Sequence, residues 1–182
     1  MDSPALVALL QEAVPQARFE SAPSIDLQTT LYVARDDVPA IARVLRDRPD
    51  LRFALLAELT AADFWPREPR FELVYMLVSI EHGFRVRLKV RLQGDDARVA
   101  TVSPFWPAAN WLEREVWDLF GIVFDGHPDP RRLLMPEDWQ GFPLRKDYPV
   151  QIRMKPRTTE PMQMTEEEFR ANLEKDRLVR RD

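Results

Sequence analysis

The sequence predicts an α+β fold: a mixed sheet of about four to five strands with packed helices, followed by an extended C-terminal arm. Three observations carry that expectation. Between Ile25 and Leu92, runs that alternate apolar and polar residues recur with the period-2 signature of strands. Ala5–Ala13 and the stretch after Asp36 carry the helical period instead. From Ser103 onward the texture changes to a run rich in Pro, Trp, Phe, Leu and Met, with little period beyond one short helix. The predicted organisation is an α+β domain over 1–108, a helix and arm over 109–150, and a polar tail over 151–182.

Taken in order, Leu6, Leu9, Leu10 and Ala13 form one stripe of a short helix that follows Pro4. Ile25–Val33 reads as a half-buried strand, with Ile25, Leu27, Thr29, Leu31 and Val33 on one face. Asp36 is placed to cap a second helix with Pro39 in its first turn, and Val38, Ile41, Val44 and Leu45 form its buried side; Pro49 ends it. Phe53–Thr60 reads as a strand with Phe53, Leu55, Ala57 and Leu59 on one face. Phe71–Ile80 is apolar on both faces, as a central strand is. The turn Glu81-His82-Gly83 leads into Phe84–Leu92, where Phe84, Val86, Leu88, Val90 and Leu92 alternate with Arg85, Arg87, Lys89 and Arg91, a hairpin signal. Asn110 is the predicted N-cap of a third helix with Glu113 in the reciprocal position; Leu112, Val116 and Leu119 form its stripe and Gly121 its end. From Ile122 to Pro149 no period emerges, which predicts an ordered coil held by packing. In the tail, Thr165–Val179 has helical potential, capped by Thr165 with Glu168.

Composition narrows the chemistry. The chain has 182 residues with 16 prolines, 5 glycines, 5 tryptophans and no cysteine. Without thiolates it cannot ligate an iron–sulfur cluster in the usual way, close a disulfide or use a cysteine nucleophile. Two histidines, His82 and His127, make a histidine-rich zinc site improbable on composition. The net charge of −4 argues against a general nucleic-acid binder. No apolar run reaches the roughly 20 residues that span a bilayer, and Met1-Asp2-Ser3-Pro4 lacks signal-peptide and transit patterns. The expectation is a protein made and kept in a cytoplasm.

The candidate chemistry divides into three groups. Glu113, Arg114, Glu115 and Asp118 crowd one helix; they can be read as an acid–base pair, as a solvated set with Arg114 and Asp118 paired at i,i+4, or as anchors for neighbouring segments. His127, in the turn-forming run Gly126-His127-Pro128-Asp129, is either a metal ligand without a supporting cluster or a hydrogen-bonded loop histidine. Arg85, Arg87, Lys89 and Arg91 on one strand face can contact phosphates, which keeps a stand-alone RNA-binding domain as the rival reading. Without aromatic interleaving, a solvated or partner-facing sheet is the simpler one. No phosphate loop, dinucleotide fingerprint or nucleophile elbow is present.

The run Asn110-Trp111-Leu112-Glu113-Arg114-Glu115-Val116-Trp117-Asp118-Leu119-Phe120-Gly121-Ile122, then Phe124, Gly126-His127-Pro128-Asp129, Arg132, Leu133, Leu134, Pro136, Glu137, Asp138, Gly141 and Pro143-Leu144-Arg145-Lys146-Asp147-Tyr148-Pro149, resembles a family signature. It is that of the 30 kDa (C) subunit family of respiratory NADH–quinone oxidoreductase, complex I. The pattern covers about 40 positions at fixed spacing; the strands from Ile25 are similar in order and length, and the unfused form of the family is the closer parallel. The resemblance implies a docking subunit of the hydrophilic arm that binds no cofactor or metal and has no catalytic residue of its own. FMN, iron–sulfur clusters and quinone belong to other subunits. It implies contact with the 49 kDa-like (D) subunit and the cluster-bearing B and I subunits, no nucleic acid, no membrane span, and a peripheral place on the cytoplasmic side of the bacterial inner membrane. Relatives with ferredoxin or deazaflavin donors, and membrane-bound hydrogenases, contain a member of the same family. The residues expected to serve docking are Glu113, Arg114, Glu115, Asp118, His127, Arg132, Arg145, Lys146, Asp147 and Tyr148.

Overall fold

The computed structural model describes residues 3–149 and 165–171. The chain divides into two units, Met1–Tyr148 and Pro149–Asp182. In the first, helix α1 (Ser3–Ala13) is followed by strands β1 (Phe19–Ser21) and β2 (Thr30–Val33), a 3-10 turn (Arg35–Asp37) and helix α2 (Val38–Asp47). Then come β3 (Leu55–Asp63), β4 (Phe71–Ser79), β5 (Phe84–Leu92), β6 (Arg98–Ala100), helix α3 (Ala109–Phe120) and β7 (Val123–Asp125). Five strands form one sheet in the order β1-β2-β5-β4-β3, antiparallel except where β2 runs parallel to β5; β6 and β7 form a separate parallel pair. The α+β class and the mixed sheet are as the sequence predicts.

The core lies under one face of that sheet. Leu73, Tyr75 and Leu77 of β4, Val86, Leu88 and Val90 of β5, and Leu31 and Val33 of β2 are buried against Leu6 and Leu10 of α1 and Ile41 and Leu45 of α2. Each such side chain contributes roughly 1.5–3 kcal/mol by leaving water. The other face carries the basic row of β5, and three of its four cations have partners within the chain. Arg87 bonds Asp26 at 2.6 Å, Lys89 bonds Glu72 at 2.7 Å, and Arg91 lies 3.7 Å over the Tyr32 ring.

Several elements depart from the sequence reading. Ile25 and Leu27 are fully exposed in a turn, Leu27 with φ +58°, so the strand begins only at Thr30. The alternation there continues into a turn whose Asp26 holds Arg87, a constraint that periodicity does not register. In β3, a register shift between Leu56 and Glu58 inserts Ala57, so Leu56 and Leu59 face inward while Leu55 and Ala57 are exposed. That is a β-bulge, and one extra residue flips the faces. Helix α2 is flanked by Asp37 rather than Asp36, and neither caps with its side chain; the Asp37 carboxylate takes the Arg18 N–H instead. Arg48 leaves the helix in an extended conformation, as a residue before proline does. Strands β1, β6 and β7 are too short to show a period. In the second unit, residues 166–171 are helical, and Thr165 and Glu168 exchange reciprocal capping bonds at 2.9 and 3.3 Å; the predicted continuation to Val179 lies outside the described residues.

Candidate docking arm

Helix α3 ends where the sequence says, at Gly121, whose φ of +73° is costly for any residue with a Cβ. A methyl there would also meet the Phe142 ring and the Arg145 guanidinium, so the returning coil packs directly on the bare glycine. Its start differs. Ala108 flanks the helix, Asn110 lies in the first turn, and no side chain caps it. Glu113 does not reach back to Asn110; its carboxylate bonds the preceding segment instead. The buried stripe is Ala109, Glu113, Val116 and Phe120, with Leu112 and Leu119 only half-buried. A carboxylate thus occupies a core position of the helix.

Glu113 is fully buried. It accepts the Val102 N–H at 2.7 Å and lies 2.5 Å from the Thr101 hydroxyl. Burial pushes its pKa up to about 7, against the pull of those two bonds. His127 Nε2 lies 3.8 Å from the same carboxylate and 3.1 Å from the Asn110 carbonyl. Its Nδ1 accepts the Asp129 N–H at 3.0 Å, which places the ring proton on Nε2.

Asp118, also fully buried, is the hub of the coil. One oxygen accepts the N–H groups of Leu133, Leu134 and Met135 at 3.1, 2.7 and 2.8 Å, and the other takes Arg132 at 2.6 Å. Burial opposes the charge, yet the Met135 N–H, Arg132 and the neighbouring N–H groups outweigh it and hold the pKa below its ordinary value. Arg132 also donates to the Trp139 carbonyl at 2.9 Å. Arg114 donates to the carbonyls of Arg131 and Arg132, each at 3.0 Å, and its guanidinium lies over Trp111. Arg114 and Asp118 are therefore not the i,i+4 pair that spacing offers.

The last part of the coil returns to the sheet. Arg145 donates to the Phe120 carbonyl at 2.5 Å between the rings of Phe71 and Phe142, and burial together with Arg70 lowers its pKa. Among the described residues no carboxylate bonds it. Asp147 binds Arg70 through both oxygens at 2.7 and 2.9 Å. Asp63 also binds Arg70, through both its oxygens, and takes the Lys146 N–H at 2.8 Å. Burial opposes the charge of Asp63, but Arg70 and the Lys146 and Trp65 N–H groups hold its pKa down at about 2. Tyr148 donates to the Gln140 carbonyl at 3.0 Å and stacks on Trp139. The Glu115 side chain is half-buried and that of Lys146 exposed, and neither forms an ion pair among the described residues.

Sequence reasoning missed Asp63, Arg70 and Thr101, whose bonds to the arm form only in the fold. Arg70 and Asp147 are 77 positions apart, beyond any local pattern. The described residues hold no group of three or more His, Asp or Glu placed to bind a metal, and none of their helices is long and apolar enough to cross a membrane. Buried carboxylates joined to N–H groups and guanidinium ions make a rigid frame. On its outside stand large apolar groups: Trp111 is 58% exposed, Leu134 60% and Leu144 52%.

Known proteins are similar to this chain. The NADH-quinone oxidoreductase subunit designated C in Roseiflexus castenholzii is 44% identical over 150 residues, covering 82% of this chain and 86% of that one. Its counterpart of the same designation in Geobacter sulfurreducens is 49% identical over 125 residues, or 68% and 76% of the two chains. A chain in the solved structure of the membrane-bound sulfane sulfur reductase, an archaeal respiratory membrane complex, matches with a TM-score of 0.66 at 27% identity, covering 89% of this chain and 98% of that one. The family model for the respiratory-chain NADH dehydrogenase 30 Kd subunit matches residues 31–153, and with the arm's frame inside that span the chain belongs to this family.

Proposed function

We propose that this chain is a docking subunit of the hydrophilic arm of a proton-pumping NADH:quinone oxidoreductase, without a reaction centre of its own. It supports electron transfer from NADH to quinone by holding other subunits in register, and FMN, iron–sulfur clusters and quinone stay with those subunits. Its neighbours are the 49 kDa-like (D) subunit and the cluster-bearing B and I subunits, on the cytoplasmic side of the bacterial inner membrane. One observation carries the reading: the arm's buried charges Asp118 and Arg132 are met within the chain, while Trp111, Leu134 and Leu144 are exposed. Apolar groups presented on a rigid coil suit a permanent interface, which buries on the order of 2,000 Å² or more.

Within that reading the predicted docking residues take two roles. Glu113, Arg114, Asp118, His127, Arg132, Asp147 and Tyr148 hold the coil in shape, while Glu115 and Lys146 meet the partner directly. Arg145 offers its remaining guanidinium donors to a partner carboxylate. The RNA-binding rival is disfavoured because Arg87 and Lys89 already carry carboxylate partners. The test is to place Trp111→Ala with Leu134→Ala in the intact complex, beside a control, Ile80→Ala, at the exposed β4–β5 hairpin. The pair is expected to lose assembled enzyme and quinone-reductase activity in membranes, with the unfolding midpoint of the isolated chain unchanged; the control keeps both. Normal assembly in the pair, or a salt-dependent gel shift with RNA, would overturn the reading.

A further inference from the structure

We propose that Glu113 is a buried proton-binding site of this chain, connected to the surface by the hydroxyls of Thr101 and Ser103. The carboxyl group is fully enclosed, and among the described residues no Lys or Arg bonds it. Its Oε2 lies 2.5 Å from Thr101 Oγ1, which lies 2.9 Å from Ser103 Oγ and accepts the Ser103 N–H at 3.1 Å. Ser103 is half-exposed, so this row of oxygens runs from the core to solvent.

A hydroxyl donates one bond and accepts two, so the row is satisfied in either direction. With the carboxyl protonated, Glu113 donates to Thr101 and Thr101 donates to Ser103. With it ionised, Ser103 donates to Thr101 and Thr101 to Glu113. Passage between these states moves one proton from Glu113 to Thr101, one from Thr101 to Ser103 and one from Ser103 to water. Each hydroxyl is then left pointing as the ionised state requires, and no backbone atom has to move.

The surroundings favour the neutral acid. Tyr75 faces Glu113 from β4, with its buried hydroxyl unpaired, and the two groups interact electrostatically. His127, from the segment after β7, directs its proton to the Asn110 carbonyl. Arg114, on the same helix, is held by the Arg131 and Arg132 carbonyls and lies 3.5 Å from Asp129, so its charge is met there. A crevice of about 50 Å³ adjoins the carboxyl between Trp117, Phe124, His127 and Pro130, and it is mostly apolar. Opposing these, the nearby start of α3 favours an anion. Burial prevails, and the carboxyl is pushed up to about 7.

The site does not depend on the docking proposal, and the test uses the full chain. The carboxylic-acid carbonyl band in the infrared is followed from about pH 5 to about pH 9, spanning the ordinary Glu range and beyond. A band that persists above pH 6, moves in D2O, fades near pH 7 and is missing in Glu113→Gln is expected. A wild-type chain with no such band above about pH 5 overturns the site. After a rapid pH jump, Thr101→Val and Ser103→Ala are expected to lose the proton roughly ten-fold or more slowly than wild type, since local opening must then carry it; Thr101→Ser keeps the wild-type rate. Unchanged rates in Ser103→Ala and in Thr101→Val overturn the connection to the surface.

Discussion

Glu113 and Asp118 sit five positions apart on one helix, both fully buried, and their acidities move in opposite directions. Depth and donors both separate them: Glu113 lies deeper in the fold, and the groups that bond the two carboxyls differ. Asp118 faces a coil that offers it the N–H groups of Leu133, Leu134 and Met135 together with the Arg132 guanidinium. Glu113 faces the segment after β6, which offers one N–H and one hydroxyl. A buried carboxylate stays charged only where several donors replace the water it gave up. One end of α3 is thus fastened by a charge, the other by a carboxyl group whose acidity burial weakens.

The largest expected effect breaks the charged end. Asp118→Ala leaves N–H groups unpaired and the Arg132 charge without its partner, a loss of about 3–5 kcal/mol. Denaturant unfolding should show it, and amide exchange should rise at Leu133, Leu134 and Met135; a loss under about 1 kcal/mol would mean that the aromatic rings alone hold the coil. Next comes the neutral end. Because the folded-state pKa of Glu113 is raised from 4.5 to about 7, its contribution is full below pH 4.5 and is lost as pH rises to about 7, a change of about 3 kcal/mol. Asp118 and Asp63, whose pKa values are lowered, act with the opposite sign: their contribution is present above about pH 4 and fades as pH falls toward their folded values. These groups together place maximum stability between about pH 4 and 5. Glu113→Gln should flatten the loss from pH 4.5 to 7 while leaving the acid limb intact, which an unfolding series across pH will read.

How much of this was legible in the sequence follows from the range of each interaction. The β5 alternation and the stop at Gly121 were readable because each depends on neighbours a few residues away. The cluster on α3 was visible as a cluster, but not which of its members face inward. Spacing pairs Arg114 with Asp118; the fold gives Asp118 to Arg132 and Arg114 to two carbonyls of the coil. The Asp63–Arg70–Asp147 network was not legible at all, because it forms only when the coil returns to the end of β3. A bulge at Ala57 hid the inward face of β3 from a period-2 reading for a similar reason. The separation of neutral from charged carboxylates was also out of reach, since it depends on donors supplied by segments that carry no pattern of their own.

A smaller effect probes the junction where the helix passes into the coil. Gly121→Ala must adopt a left-handed conformation, costing roughly 1–2 kcal/mol, and its methyl must displace Phe142 and Arg145. A loss of about 2 kcal/mol, with faster exchange in Phe142 and Arg145, is expected. If instead only the helix end frays while the coil keeps its protection, the coil is held by Asp118 rather than by contact with the glycine.

The smallest effect on folding is expected at the third carboxylate of the same helix, and it is the most informative about docking. Glu115 lies between Glu113 and Asp118 in sequence but is only half-buried, with no ion pair among the described residues. It faces neither the β6 segment nor the coil's N–H groups, so neither argument that fixes its neighbours' charge applies to it. Glu115→Gln keeps size and shape while removing the charge, and should change the stability of the isolated chain by no more than about 0.5 kcal/mol. If Glu115 meets a partner's cation, the same substitution removes a cross-subunit pair and leaves that cation unmatched, at a cost of roughly 2–5 kcal/mol to the interface where the pair is desolvated. Unfolding of the isolated chain and yield of the assembled complex therefore separate the roles. A variant that folds like wild type but assembles poorly places Glu115 at the interface. A variant that assembles normally leaves the docking to Trp111, Leu134, Lys146 and Arg145, and leaves the carboxyl groups of α3 to hold the fold rather than the interface.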